Sequence, residues 1–190
     1  MSKKNTKPAK RYLGIDPGTQ IMGYAMIEVL NNKAQLLEMG VIHLSLFSDP
    51  AEKLKKIFER IHHIITEYQP DEMAIEAPFY GKNAQAMLKL GRAQGVAMTA
   101  AIVRGINVTE YAPRKIKQSV TGNGNASKEQ VAAILQQTLK FELNDHYLDA
   151  TDALGVALCH HYQSSSALGN VSKKGGWASF VKNNPDRVKK

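Results

Sequence analysis

Four acidic residues stand where an apolar stretch starts or stops. Asp16 follows Tyr12–Ile15, Glu76 follows Met73–Ile75, and Asp149 with Asp152 heads an apolar run toward residue 162. Acids three apart share one face of a helix. Strand ends are where open α/β sheets collect ligands, so if the strands ending at Asp16 and Glu76 are parallel neighbours, their carboxylates converge. Four carboxylates at one mouth repel each other unless cations intervene, and an all-oxygen set suits Mg²⁺ or Mn²⁺. Each acid alone has an ordinary structural reading. Asp16 precedes a Pro-Gly turn, Glu76 can be a loop charge, and Asp149 and Asp152 complement a helix dipole. It is the set that points to metal chemistry.

Lys117 and Lys128 flank the loop Gly122-Asn123-Gly124-Asn125, within reach of a phosphate beside such metals, or else are solvated helix charges. Phe79-Tyr80 lies three residues past Glu76. An exposed aromatic there can stack on a nucleobase, worth about 1–3 kcal/mol, or Phe79 can plug the core. His160-His161 falls in the last turn of the final helix, where capping the dipole is the expected role. Gly18 and Gly23 do not make a phosphate loop, because no Lys-Ser/Thr follows.

The elements that must position these residues are legible in outline. Tyr12–Asp16, 22–30 and 34–44 read as three strands, and a three-strand antiparallel meander is expected. From Asp49 the period becomes helical. Asp49 and Glu52 have capping-box spacing, and Leu54, Ile57, Phe58, Ile61, Ile64 and Ile65 mark a helix over 50–68. Met73–Glu76 is a compact strand, 84–103 a helix rich in Ala and Met, and Ile106–Tyr111 a fifth strand. Pro113 opens a short helix. Ser127 caps a helix over 128–139 with Gln130 in the capping-box position, and a last helix covers about 149–162. The order βββαβαβ followed by helices predicts an α/β protein with a mixed sheet and helices on both faces.

The 190 residues carry a net charge of +8, unevenly spread. Residues 1–11 and 172–190 each sum to +5, leaving −2 for the body. Within the body, 12–79 sums to −5, 80–128 to +7 and 129–171 to −4. A basic block between acidic segments suits a polyanion, since clustered Lys and Arg release counterions from a phosphate backbone. No apolar run approaches the roughly 20 residues that cross a bilayer, so no membrane role is expected. The start is charged, unlike a secretory signal. Cys159 is the sole cysteine, which excludes an intrachain disulfide and fits a reducing cytoplasm. The expected organisation is a flexible basic arm (1–11), one α/β domain (12–163) and a flexible basic tail (164–190).

Leu13-Gly14-Ile15-Asp16-Pro17-Gly18, Gly23-Tyr24, Ile75-Glu76, Lys89-Leu90-Gly91-x-Ala93-x-Gly95-Val96, Tyr111-Ala112-x-Arg114-x-x-Lys117-Gln118 and Asp149-x-x-Asp152-Ala153-Leu154 resemble the RuvC family of bacterial Holliday-junction resolvases. The resemblance runs from about residue 12 to 162 with order and spacing kept. It implies a ribonuclease H-like fold with a five-stranded mixed sheet. It also implies a homodimer, and paired symmetric nicks at four-way DNA junctions in recombination and repair. By position it makes Asp16, Glu76, Asp149 and Asp152 catalytic metal ligands for two Mg²⁺ per subunit, with Mn²⁺ able to substitute. It gives Lys117 and Lys128 to the active site and Phe79 to the opened junction. Lys82, Lys89, Arg92, Arg114 and Lys115 of the basic block are then expected on DNA, and the RuvA–RuvB branch-migration complex is the expected partner. Ala77-Pro78 departs from the family pattern and bears on how Phe79 is aimed. A ribonuclease H-like nuclease acting on another branched DNA or on RNA is the alternative. An actin-like ATPase would need a second lobe, and a non-catalytic junction binder would not keep four acids beside DNA.

Overall fold

The structure, a computed structural model, describes residues 8–78, 83–142 and 148–165. Its strands are β1 (Lys10–Asp16), β2 (Ile21–Leu30), β3 (Lys33–His43), β4 (Glu72–Glu76) and β5 (Asn107–Tyr111). Its helices are α1 (Pro50–Tyr68), α2 (Ala84–Ile102), α3 (Pro113–Thr121), α4 (Lys128–Leu139) and α5 (Leu148–Ser165). The strands form one sheet in the order β3-β2-β1-β4-β5. The meander β1–β2–β3 is antiparallel, and β4 and β5 are added parallel to β1. Asp16 and Glu76 therefore leave the same edge of the sheet from adjacent strands.

Alternation along the strands sorts the side chains to two faces. Leu13, Ile15, Met73 and Ile75 pack in one cluster with Ile57, Ile61, Ile64 and Ile65 of α1 and Ala93, Ala97, Ala100 and Ala101 of α2. Tyr12 and Ala74 lie on the other face, packed with residues of α3, α4 and α5. Phe58, expected on the buried stripe of α1, falls off it. It is part-exposed and stacks on His62, with ring centroids 5.9 Å apart.

Helix ends follow the expected chemistry. Asp49 caps α1 by accepting from Ala51 N at 3.1 Å rather than through a box with Glu52, whereas Ser127 and Gln130 complete a reciprocal capping box. That box fixes Lys128 as the first residue of α4. Two expected boundaries shift. β1 starts at Lys10 rather than Tyr12, because Lys10 pairs with Glu72 (3.2 Å) and Arg11 with Glu28 (2.9 Å) and Tyr68 O (2.9 Å). Two residues assigned to a flexible arm are thus strand. α5 runs to Ser165, past the end expected at 162 and into the start of the expected tail.

α5 lies across β1 and β2 at a backbone-to-backbone approach that only glycine allows. A Cβ on Gly14 would run into Ala153 O and stand 2.7 Å from Ala157 N. One on Gly23 would meet Asp149 O. These contacts seat the first two turns of α5, which carry Asp149 and Asp152, over the end of β1. Gly14→Ala is expected to push α5 outward and destabilise the fold by about 1–3 kcal/mol, the usual scale of overpacking. The urea midpoint measures it.

Candidate active site

Asp16, Glu76 and Asp152 line one pocket of about 140 Å³ together with Pro113, Ile116, Lys117, Lys128 and Val131. β1 and β4 supply the first two acids in parallel register, with Ile15 opposite Ile75 one residue earlier. α5 supplies the third. Residues 60 positions apart in the chain are thus brought to one edge by strand pairing alone. Asp149 behaves differently from the other three. It is exposed and outside the pocket lining, although its charge still raises the proton affinity of Asp16.

The electrostatics of the pocket are unfavourable for bare carboxylates. Burial first, then the charge of Asp152, pushes the Asp16 pKa up to about 7. Burial, then Asp16 and Asp152, likewise raises Glu76 to about 7. Lys128 offsets part of this. Its Nζ donates to Asp152 Oδ2 at 2.6 Å, an interaction that raises its own pKa. Lys117 Nζ is tethered to Ala126 O at 2.8 Å, just before α4, and its charge lowers Glu76. The lysines expected beside the glycine-rich loop both line the pocket that holds the acids, and Lys128 contacts one of them.

Among the described residues, no three acidic, histidine or cysteine side chains already stand at metal-binding geometry. The donor set nonetheless fits a hard divalent cation. It is all carboxylate, burial and then mutual repulsion raise the proton affinity of Asp16 and Glu76 toward neutrality, and its present counter-charge is a lysine ammonium that a dication can replace.

The remaining expected residues are dispersed. Arg114 and Lys115 are exposed on α3 beside the pocket, and the Arg114 side chain lies against Gly124. Lys89 and Arg92 line a separate cavity of about 370 Å³ with Lys53, between α1 and α2 on the opposite face of the sheet. Phe79 and Lys82 lie outside the described residues.

His160 and His161 correct the sequence reading. α5 continues past them to Ser165, so they are not in its last turn, and both rings are buried. Burial holds both below the usual histidine pKa, so they are neutral and offer the helix end no charge. What the sequence reading missed is the network around His160, built with Glu72 and Tyr111. Its trace in the sequence is that Glu72 stands four residues before Glu76, on the same face of β4.

A mixed sheet of order 3-2-1-4-5, with acids at the ends of its two central parallel strands and a third on a helix crossing them, is the ribonuclease H-like nuclease arrangement. The family profile described as "Crossover junction endodeoxyribonuclease RuvC" matches residues 12–160. Proteins of that name from Cytophaga hutchinsonii and Porphyromonas gingivalis are 61% and 54% identical to this chain. Each alignment covers 93% of this chain, and 87% and 96% of the respective relative. Among solved structures, Thermus thermophilus RuvC in complex with a Holliday junction substrate superposes with a TM-score of 0.73 at 28% identity. That match covers 82% of this chain and 94% of the other. The chain belongs to the RuvC family of crossover junction endodeoxyribonucleases.

The raised carboxylates have a consequence for stability. Asp16 and Glu76 bind protons more tightly folded than unfolded, where carboxylates titrate near pH 4. Their contribution is therefore most favourable below about pH 4 and is lost as pH rises toward 7. In EDTA the melting temperature should fall across this window. At pH 8 in EDTA, Asp16→Asn should melt above wild type, by about 2–4 °C for each kcal/mol of repulsion relieved. Scanning calorimetry with and without Mn²⁺ checks this; the cation should raise wild type more than the variant.

Proposed function

We propose that this chain resolves four-way (Holliday) DNA junctions by metal-dependent hydrolysis of phosphodiesters in recombination and repair. The observation that carries this reading is the single pocket in which Asp16, Glu76 and Asp152 from three elements meet Lys117 and Lys128, in a chain of the RuvC family.

The residues divide the work by charge. Asp16 and Glu76 hold the cation once deprotonated, and Asp152 completes the set when Lys128 leaves it. Asp149, exposed on the first turn of α5, is assigned as the fourth ligand. A bound divalent cation supplies Lewis acidity toward the phosphate and a more acidic water. We assign two Mg²⁺ per subunit, with Mn²⁺ substituting. Lys128, freed from Asp152, offers its ammonium to the phosphate as charge grows there, and Lys117 does the same from its tether on Ala126 O. Ile116 and Val131 give the pocket an apolar wall, which strengthens these interactions.

Paired nicks on two strands need two sites, which a homodimer supplies. The outer face of α2 suits it: Leu88 and Ile102 are exposed there, and nothing lies within 4 Å of where a Cβ on Gly91 or Gly95 would stand. We assign Arg114 and Lys115, exposed on α3, to the phosphates leaving the pocket. The RuvA–RuvB complex is the proposed partner, and the cytoplasm the proposed location. No helix among the described residues is long and apolar enough to cross a membrane.

The test is cleavage of a synthetic four-way junction, a linear duplex and an RNA–DNA hybrid, with Mg²⁺ and with EDTA. Paired symmetric nicks confined to the junction and lost in EDTA are expected; cleavage of the hybrid instead would move the substrate. Asp16→Asn should reduce nicking to background while junction binding persists. Lys117→Met should slow single-turnover nicking by about 10²-fold, the scale of one lost electrostatic stabiliser.

A further inference from the structure

One buried polar cluster takes no part in the chemistry above. His160, on α5, has a side chain only 4% exposed. Its Nε2 lies 3.1 Å from Glu72 Oε2, and its Nδ1 lies 2.9 Å from the Tyr111 hydroxyl. Glu72 also accepts from Lys10 at 3.2 Å. The Tyr12 ring meets the His160 ring edge-on, with centroids 5.0 Å apart. The protonation pattern is set by the partners. Glu72 is held ionised by Lys10 and His160 despite its burial, and burial pushes the Tyr111 hydroxyl up to about 12. A neutral imidazole between them donates from Nε2 to the carboxylate and accepts at Nδ1 from the phenol.

The cluster stands at a fixed distance from each acid of the pocket. On β1, Tyr12 is four residues before Asp16; on β4, Glu72 is four residues before Glu76. The two strands are in register, Tyr12 opposite Glu72. Four residues of strand span about 13 Å. On α5, His160 is eight residues after Asp152, and eight residues of helix span about 12 Å. Strand and helix thus measure nearly the same length between the cluster and the pocket. Tyr111 closes the frame: its backbone pairs with Glu76 and accepts from Ala77 N at 2.9 Å, while its hydroxyl reaches His160.

We propose that His160 is a positioning residue: by tying α5 to Glu72 of β4 and Tyr111 of β5, it sets the separation of Asp152 from Asp16 and Glu76, and with it the pocket's affinity for a divalent cation. This rests on the reading that those carboxylates hold the cation. A histidine that served packing alone would need no partners on two strands. The packing of α5 on Gly14 and Gly23 fixes how close the helix comes. The two hydrogen bonds of His160 fix its translation along the sheet, which packing of small side chains leaves loosely determined.

The experiment compares wild type with His160→Leu, His160→Gln and Tyr111→Phe. Mn²⁺ affinity is read on the DNA-free protein by electron paramagnetic resonance titration, alongside junction affinity in EDTA and single-turnover nicking against Mg²⁺ concentration. His160→Leu should weaken Mn²⁺ binding by about 10–100-fold, as loss of an outer hydrogen-bonding partner does at metal sites. It should shift the Mg²⁺ midpoint for nicking upward equally and leave junction affinity in EDTA unchanged. His160→Gln, which can still donate and accept, should restore most of the affinity. Should His160→Leu fail to fold, Tyr111→Phe, which removes one hydroxyl, carries the same measurement and should still weaken Mn²⁺ binding. Folded variants with wild-type Mn²⁺ affinity overturn the role of His160 while leaving the metal site standing. Wild type that binds no Mn²⁺ overturns both.

Discussion

Everything in this molecule depends on how closely a helix backbone can approach a sheet. α5 contributes an acid to the pocket, yet it enters the fold about 70 residues after Glu76 and shares no backbone pairing with β1 or β4. Its distance from the sheet is set by contact, and Gly14 and Gly23 let that contact be backbone on backbone. A methyl group at Gly14 would lift the helix, and Asp152 with it. The small residues along the helix, Ala150, Ala153 and Ala157, serve the same end and are fully buried.

Bringing the acids together opposes folding, because it sets like charges in a half-dry pocket. The structure eases that cost by raising the proton affinity of Asp16 and Glu76, through burial first and neighbouring charge second, and by setting the Lys128 ammonium on Asp152. The Lys128 ammonium that meets Asp152 is held at the first turn of α4, behind the Ser127–Gln130 capping box.

The sheet, the order of its elements and most helix boundaries were legible because each rests on local chemistry: period-two strands, a capping box at Ser127–Gln130, a Pro-opened helix at 113. The acids at strand ends were legible for the same reason. Residues whose roles depend on tertiary neighbours were not. Phe58 obeys the helical period yet points off the core, because the buried stripe of α1 is narrower than the apolar pattern. Asp149 and Asp152 look equivalent three apart, but α5 rotates only Asp152 into the pocket. His160 looked like a terminal charge because the helix was read as ending two residues later, and its partners Glu72 and Tyr111 lie 88 and 49 positions away. No local signal marks such a pairing.

The parallel pairing of β4 with β1 also bears on the order of assembly. The meander closes through short connections, so residues 10–43 pair early and cheaply, with Asp16 still solvated and alone. The register of β4 on β1 joins positions 60 apart, and the seating of α5 spans more than twice that, contacts that a chain reaches late because loop closure must come first. The repulsion among the carboxylates is consequently absent from the early part of folding and concentrated in its last docking step. A cation that binds only the assembled pocket acts on that step: it slows undocking of α5 and leaves the formation of the meander untouched.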